Sequence, residues 1–425
     1  MIPKVVVRVA DPLLRLDHLL VHLREPLVPF HRHEPRRLVA HAITIQARLY
    51  GRADSNHDSQ ETPRMPSVTA ADGPVAVTGA SGYIGAHTVI ALMKRGYDVR
   101  ACLTDTSNPD KTEFLLALNG EHPGNVSLHQ ANLLEEGSYD APFRDCSAVL
   151  HVGTPMGYGG VNNPQQVYDG AIGGVHNIIG SVKRAGTVKR LIYTSSFAAI
   201  GHPSPAGHRY TEDDWASDNR DNDANWNTSN LVEKGEVGYS MAKVECERLV
   251  TRLAEEDGRF DAISVCPCVV LGPLLSPVHE LRGSWQFFLG RMLAGKPCGR
   301  GWQALWNIVD VRDVGESEAL MIESDVCGNG SRYMLCATDD SGEITAMQLH
   351  EHLQALFPHI DVGGVLPEYD AMVEKYGAPY DAPRAHCDKA RGELGLETHA
   401  IEDTLRTTGE TMIELGLVEP KLKTA

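Results

Sequence analysis

The sequence predicts an α/β protein, a doubly wound parallel sheet with a smaller carboxy-terminal lobe. Two observations carry this. From Pro74 onward, short apolar runs alternate with segments of helical periodicity, the pattern of successive βαβ units. The first such unit contains a glycine-rich turn, Gly79-Ala80-Ser81-Gly82-Tyr83-Ile84-Gly85, which follows a run of strand character and opens one of helical character.

In order along the chain, residues 75–78, 99–103, 126–129, 148–152 and 190–194 read as strands, and 263–266 as a sixth. Residues 84–95, 164–183 and 239–255 between them read as helices. Beyond Gly272 the alternation loses its regularity. The remaining length suits a lobe built beside the carboxyl ends of the strands, the edge at which ligands bind in such sheets.

Composition bounds the rest. Of 425 residues, 42% are hydrophobic and 22% charged, which is ordinary for a globular protein. No apolar run reaches the length of a membrane span. A net charge of −17 argues against non-specific binding to nucleic acid, because that affinity comes from neutralising phosphates. The nine cysteines are scattered, and Cys266-Pro267-Cys268 lacks the spacing of zinc ligands. Reduced thiols, a cytoplasmic setting and no metal are therefore expected.

Residues 1–64 stand apart, with nine Arg and one Lys against seven acidic residues, and six of the nineteen histidines. Arg-rich character suggests a transit peptide, but Asp11, Asp17, Glu25 and Glu34 oppose that reading. The composition changes within the polar stretch 54–67. Residues 1–72 are accordingly expected to be an extension, poorly ordered or dispensable, with Met65 a candidate second start.

The glycine turn has a use. Glycines let the chain turn tightly and let its backbone approach a pyrophosphate, whose charge is favoured by the free N–H groups and positive dipole end of the following helix. Ser81, Tyr83 and Ile84 complete this loop, and Gly85 would let the helix pack closely on the sheet. The second strand ends at Leu103-Thr104-Asp105, where an adenosine ribose should lie. An acid there would suit the 2′-hydroxyl of NAD and a base the 2′-phosphate of NADP. Thr104 suits either, and Lys111 is within reach of a phosphate.

Tyr239-Ser240-Met241-Ala242-Lys243 places Tyr239 and Lys243 four apart, on one helix face. Carbonyl reduction needs hydride from a nicotinamide and a proton for the growing alkoxide. A tyrosine hydroxyl supplies that proton when a lysine ammonium favours its phenolate. A hydroxyl at a neighbouring strand end, from Thr194-Ser195-Ser196, would hold the carbonyl oxygen. Alone, Y-x-x-x-K is a common surface pair; joined to the glycine loop and the serines, it reads as catalytic.

These segments together resemble the extended short-chain dehydrogenase/reductase superfamily, and within it the dihydroflavonol-reductase and cinnamoyl-CoA-reductase-like group. The resemblance covers residues 74–418. It rests on T-G-A-S-G-Y-I-G at 78–85, H-V-G-T-P-M at 151–156, Y-T-S-S at 193–196, Y-S-M-A-K at 239–243, P-C-V-V-L-G-P at 267–273 and N-I-V-D-V-R-D-V at 307–314. It implies a Rossmann domain over 73–272, to which the chain returns near 305–315, and a lobe over 273–425 that mainly binds substrate. It also implies that Ser196 orients the carbonyl, Tyr239 donates the proton and Lys243 binds the nicotinamide ribose. Gly153, Thr154 and Pro155 would line that ribose, Asn132 and Leu133 the adenine, and Pro267 and Val270 the nicotinamide. Met156 and Phe197 are candidates for substrate contact.

Three departures matter. Thr104 stands where NADPH-preferring members carry an arginine, which weakens but does not remove the NADPH preference the resemblance implies; NADH stays open. Asn132 replaces an aspartate. Gly201 stands where flavonoid reductases carry a polar side chain, and Glu236-Val237-Gly238 lacks the Asn-Trp pair of cinnamoyl-CoA reductases, so neither named substrate is supported. The expected reaction is hydride transfer between NAD(P)H and a small-molecule aldehyde or ketone, or the corresponding alcohol, by a monomer or homodimer. A nucleotide-sugar epimerase or dehydratase, a 3β-hydroxysteroid dehydrogenase and a non-catalytic NAD(P) sensor are the alternatives.

Overall fold

The computed structural model describes residues 67–154, 164–201, 207–217, 236–279, 284–298, 306–338, 344–366 and 384–424. Residues 1–66 of the expected extension, Pro155 and Met156 lie outside them; residues 67–72, expected to be part of that extension, are instead packed on the domain, since Val68 is buried in its core and donates its N–H to the Ile322 carbonyl at 2.8 Å.

Seven parallel strands form the main sheet: β1 Val75–Thr78, β2 Asp98–Leu103, β3 Asn125–Gln130, β4 Ala148–His151, β5 Arg190–Thr194, β6 Asp261–Pro267 and β9 Arg332–Leu335. Their order is β3-β2-β1-β4-β5-β6-β9, so the winding reverses between β1 and β4 and opens a crevice above their carboxyl ends. β1, β4, β5 and β6 are buried along their whole length, as strands covered on both faces must be.

One face is covered by α1 (Tyr83–Lys94), which packs into a core with Val75, Val77 and Ile263. The other is covered by α4 (Pro164–Ala185) and α5 (Glu236–Asp257), whose Val175, Ile178, Ala242 and Cys246 meet Val149 and Leu191. Two short helices, α2 (Pro109–Ala117) and α3 (Asp140–Phe143), lie between the early strands. A separate core built from α6 (Trp285–Leu293), α8 (Ala346–Leu356) and α10 (Ile401–Glu414) makes the lobe, together with the pair β7 (Val269–Leu271) and β8 (Ile308–Asp310).

The return to the sheet is longer than the sequence segment 305–315. Helix α7 (Val311–Glu323) lies against α1, so close that a Cβ on Gly315 would meet the His87 carbonyl at 2.7 Å. The chain then supplies β9 beside β6, and α9 (Asp388–Leu394) packs on the same core. Four-residue β9 escapes periodicity because it is short and lies beyond Gly272, where the alternation loses its regularity; its first residue, Arg332, is buried and its charge is met by another element. Asp310 ties lobe to return. Its carboxylate accepts from the Arg312 backbone at 2.8 Å and from Thr404 of α10 at 2.8 Å.

Candidate active site

The glycine loop crosses the crevice at the end of β1. Gly79 has φ +65°, a backbone conformation that costs a side-chain-bearing residue about 1 kcal/mol or more. A Cβ there would also lie 2.6 Å from the Gly153 Cα, so the loop and the end of β4 touch backbone to backbone. At Gly85 a Cβ would meet the Gly79 carbonyl oxygen at 2.3 Å, which is why the helix can start directly on the loop. Gly82 is the N-cap of α1 and supplies no capping side chain, so the first-turn N–H groups of Tyr83, Ile84 and Gly85 are left for a ligand's anion. A pyrophosphate fits such a cradle. Tyr83 turns away from it and donates to the Gly272 carbonyl at 2.8 Å.

Thr104, at the end of β2, and Asn132, beyond β3, share one cleft of about 530 Å³ with Gln130, Ala131, Glu135, Glu136, Gly137 and Ser138. The Asn132 side chain accepts from Leu134 N at 3.1 Å, and Leu133 leans on Gly174 of α4. Asp105 folds back on Ser107, accepting from its N–H at 2.9 Å and its hydroxyl at 2.6 Å. The lining contains two glutamates and no lysine or arginine; Lys111 is half-buried on α2, outside the lining.

The candidate catalytic residues lie on the other side of the switch point, at the end of β5 and in α5. Helix α5 begins at Glu236, before the residue 239 read from sequence, so Tyr239 stands within its first turns. Lys243, only 3% exposed, donates to Thr154 Oγ1 at 3.0 Å and to the Thr194 carbonyl at 2.9 Å, and its Nζ lies 5.8 Å from the Tyr239 ring centre. Burial pulls its pKa down to about 8, although Cys246 and Glu247 favour its charged form. Burial pushes Tyr239 up to about 12, and a hydrogen bond from Ser196 works against that. In this geometry burial, rather than the lysine, dominates the phenol.

Sequence leaves two serines to choose between, and the structure separates them. Ser195 is buried and donates to the carboxylate of Glu247, whereas Ser196 is half-buried and partners Tyr239. Glu247 and Arg332 are the residues sequence reasoning missed. Tyr239, Lys243 and Glu247 follow one another every four residues, and that spacing was the available signal. Glu247 also accepts from Arg332 Nε at 2.7 Å. Arg332 in turn donates to the carbonyls of Glu212 and Asp214 and stacks 3.7 Å from the centre of the Trp215 ring. A single buried ion pair therefore joins the tyrosine helix, the serine turn, β9 and the segment 207–217.

Pro267 closes β6, and Val270 lies in β7 with its carbonyl accepting from Gln286 at 3.2 Å. Phe197 packs edge-on to Tyr210, 5.1 Å between centres, and against Gly201. Trp285, in the lobe, packs on Trp306 at 4.7 Å. Among the described residues no cluster of three His, Cys, Asp or Glu side chains is placed to hold a metal ion, and no helix is long and apolar enough to cross a membrane.

Comparison with known proteins agrees with this geometry. Residues 75–336 match the model of the NAD dependent epimerase/dehydratase family. A cinnamoyl-CoA reductase of Medicago truncatula is 30% identical over 80% of this chain and 95% of its own length. A dihydroflavonol 4-reductase of Zea mays is 32% identical over 81% and 90%. Among solved structures, Gre2 of Candida albicans in complex with NADPH superposes with a TM-score of 0.66 at 22% identity, over 81% of this chain and 99% of that one, and so shares the fold. The chain belongs to the NAD dependent epimerase/dehydratase family, as an oxidoreductase of the extended short-chain dehydrogenase/reductase type.

Proposed function

We propose that this protein reduces an aldehyde or ketone of moderate size, predominantly apolar, using NADPH or NADH, with alcohol oxidation as the reverse reaction. The observation that carries this reading is the convergence of Ser196, Tyr239 and Lys243 at the end of the crevice away from the Thr104 cleft. Two relatives are named as reductases of cinnamoyl-CoA and of dihydroflavonol, which supports a carbonyl as the group reduced.

The reduced nicotinamide supplies the hydride when bound. Ser196 donates to the substrate oxygen and polarises the carbonyl. Tyr239, linked to the same serine, delivers its proton to the oxygen as negative charge grows there. Lys243 holds a positive charge beside the phenol as the proton leaves, anchored through Thr154 and the Thr194 carbonyl. The glycine cradle and the Thr104 cleft hold the dinucleotide. Residues 73–272 and the returning segment carry the cofactor, 273–425 mainly the substrate, and the extension is dispensable as far as Met65, beyond which Val68 belongs to the core. All nine cysteines are free, which suits a reducing, cytoplasmic setting for a monomer or homodimer.

The test is nicotinamide absorbance with NADPH or NADH and a panel of aldehydes and ketones, on the full chain and on one starting at Met65. Turnover that disappears in Tyr239→Phe supports the reading; cofactor binding with no turnover on any carbonyl overturns it.

A further inference from the structure

Strands β6 and β9 run side by side with Pro267 opposite Leu335, and the residues that follow them are Cys268 and Cys336. The ladder continues past the strand ends, since Cys268 N donates to the Leu335 carbonyl at 3.0 Å. Neighbouring strands lie about 5 Å apart, within the span a disulfide bridges. Cys268 and Cys336 therefore occupy facing positions on one side of the sheet, in the apolar cluster that also holds Cys266, Met334 and Phe197. Cys268 is half-buried and Cys336 fully buried.

The chemistry of the two thiols differs. Burial pushes both upward, but the Cys268 thiol beside the Cys336 sulfur and the Thr338 hydroxyl 3.2 Å from it favour its ionised form and bring it below its ordinary value. Burial, and the Cys336 sulfur beside it, hold Cys268 well above that value. Of the two facing thiols, Cys336 is the one that gives up its proton more readily.

We propose that Cys268 and Cys336 are an oxidation site at which a hydroperoxide converts the two thiols into a disulfide. The Cys336 sulfur attacks the peroxide while its thiol proton passes to the departing oxygen, the O–O bond breaks, and an alcohol or water leaves as the sulfur becomes a sulfenic acid. The Cys268 sulfur then attacks that sulfur; the S–S bond forms and water departs with the thiol proton. Two thiols lose two electrons and the peroxide gains them. The link would form directly after Pro267, in the cluster that Phe197 shares next to Ser196, and so would stiffen the floor of the crevice where the carbonyl is expected.

The site is tested by treating the full chain with hydrogen peroxide and mapping its peptides without reduction. The expected result is a chain lighter by two hydrogens, a peptide joining Cys268 to Cys336, severalfold slower turnover, and recovery of both with dithiothreitol. Cys268→Ser and Cys336→Ser should each abolish the cross-link while Cys387→Ser keeps it. A Cys336–Cys387 link, or sulfinic acid at Cys268 with no link, overturns the proposal. Because the cross-link is read by mass, its outcome is independent of whether the chain reduces carbonyls.

Discussion

The two ends of the crevice are built by different rules. At the end proposed to be catalytic, Ser196, Tyr239 and Lys243 rest on long-range buried contacts: the ion pair of Glu247 with Arg332, and below β5 the Glu318 carboxyl group, which accepts from Thr194 and, at 2.6 Å, from Thr88. At the adenosine end, Thr104 and Asn132 border an open cleft whose polar groups mostly satisfy one another within a few residues, as Asp105 does with Ser107. Chemistry needs groups fixed to a fraction of an ångström, and long-range buried pairs fix them. Recognition of one phosphate needs only a suitable side chain on a stable rim.

The largest effect expected from breaking this division is at Tyr239. Tyr239→Phe should lower turnover by about 10²- to 10⁴-fold, the usual worth of a positioned general acid, while cofactor affinity, measured by nicotinamide fluorescence titration, stays near wild type. A parallel loss of affinity would mean that the two ends are not separable.

Next comes the ion pair. Leaving Arg332 buried without its partner should cost about 3–5 kcal/mol, so Glu247→Ala should lower the unfolding midpoint strongly. Glu247→Gln, which keeps an acceptor for Ser195, should recover more turnover than stability. Equal losses of both in the two variants would show that the serine turn does not depend on this hydrogen bond.

Glu318 gives a smaller, pH-dependent effect. Burial raises its pKa to about 7, against the hydrogen bonds from Thr194 and Thr88. The folded state therefore holds a proton that the unfolded state releases near pH 4.5, and the protonated group's stabilisation, present below that pH, is lost as pH rises to about 7. The loss is on the order of 3 kcal/mol. Glu318→Gln should flatten the difference in denaturant midpoint across this window; a slope like wild type's would place the titration elsewhere.

How far the sequence reveals each region follows the same division. Strands β1 and β5 fall on the residues expected, because both stand in the regular strand–helix alternation of the first half and are buried along their whole length, the leading Arg190 of β5 included. The tyrosine helix starts earlier than read, since Gly238 looks like a boundary and tertiary packing overrides that weak preference. β9 escapes because it is only four residues long and lies beyond Gly272, where strands and helices no longer alternate regularly. The choice between Ser195 and Ser196 needed either a family resemblance or the coordinates, which show Glu247 taking the first. Gly79, Gly82 and Gly85 were readable because backbone crowding restricts those positions to one residue type.

Thr104 gives the smallest effect and the sharpest test of the rim. Its cleft carries Glu135 and Glu136 and no cationic lining residue, so nothing in the lining pairs with a 2′-phosphate, although NADPH is the cofactor bound in the Candida albicans structure. Thr104→Arg would add a planar donor pair suited to that phosphate. The ratio of kcat/KM for NADPH over NADH should then rise by about tenfold, or 1.4 kcal/mol, with no change in carbonyl preference or stability. An unchanged ratio would mean that phosphate selection comes from Lys111, and Lys111→Ala should then remove whatever NADPH preference the wild type has. Because the rim bears on no buried charge, either substitution should leave the Tyr239 end of the crevice as it was.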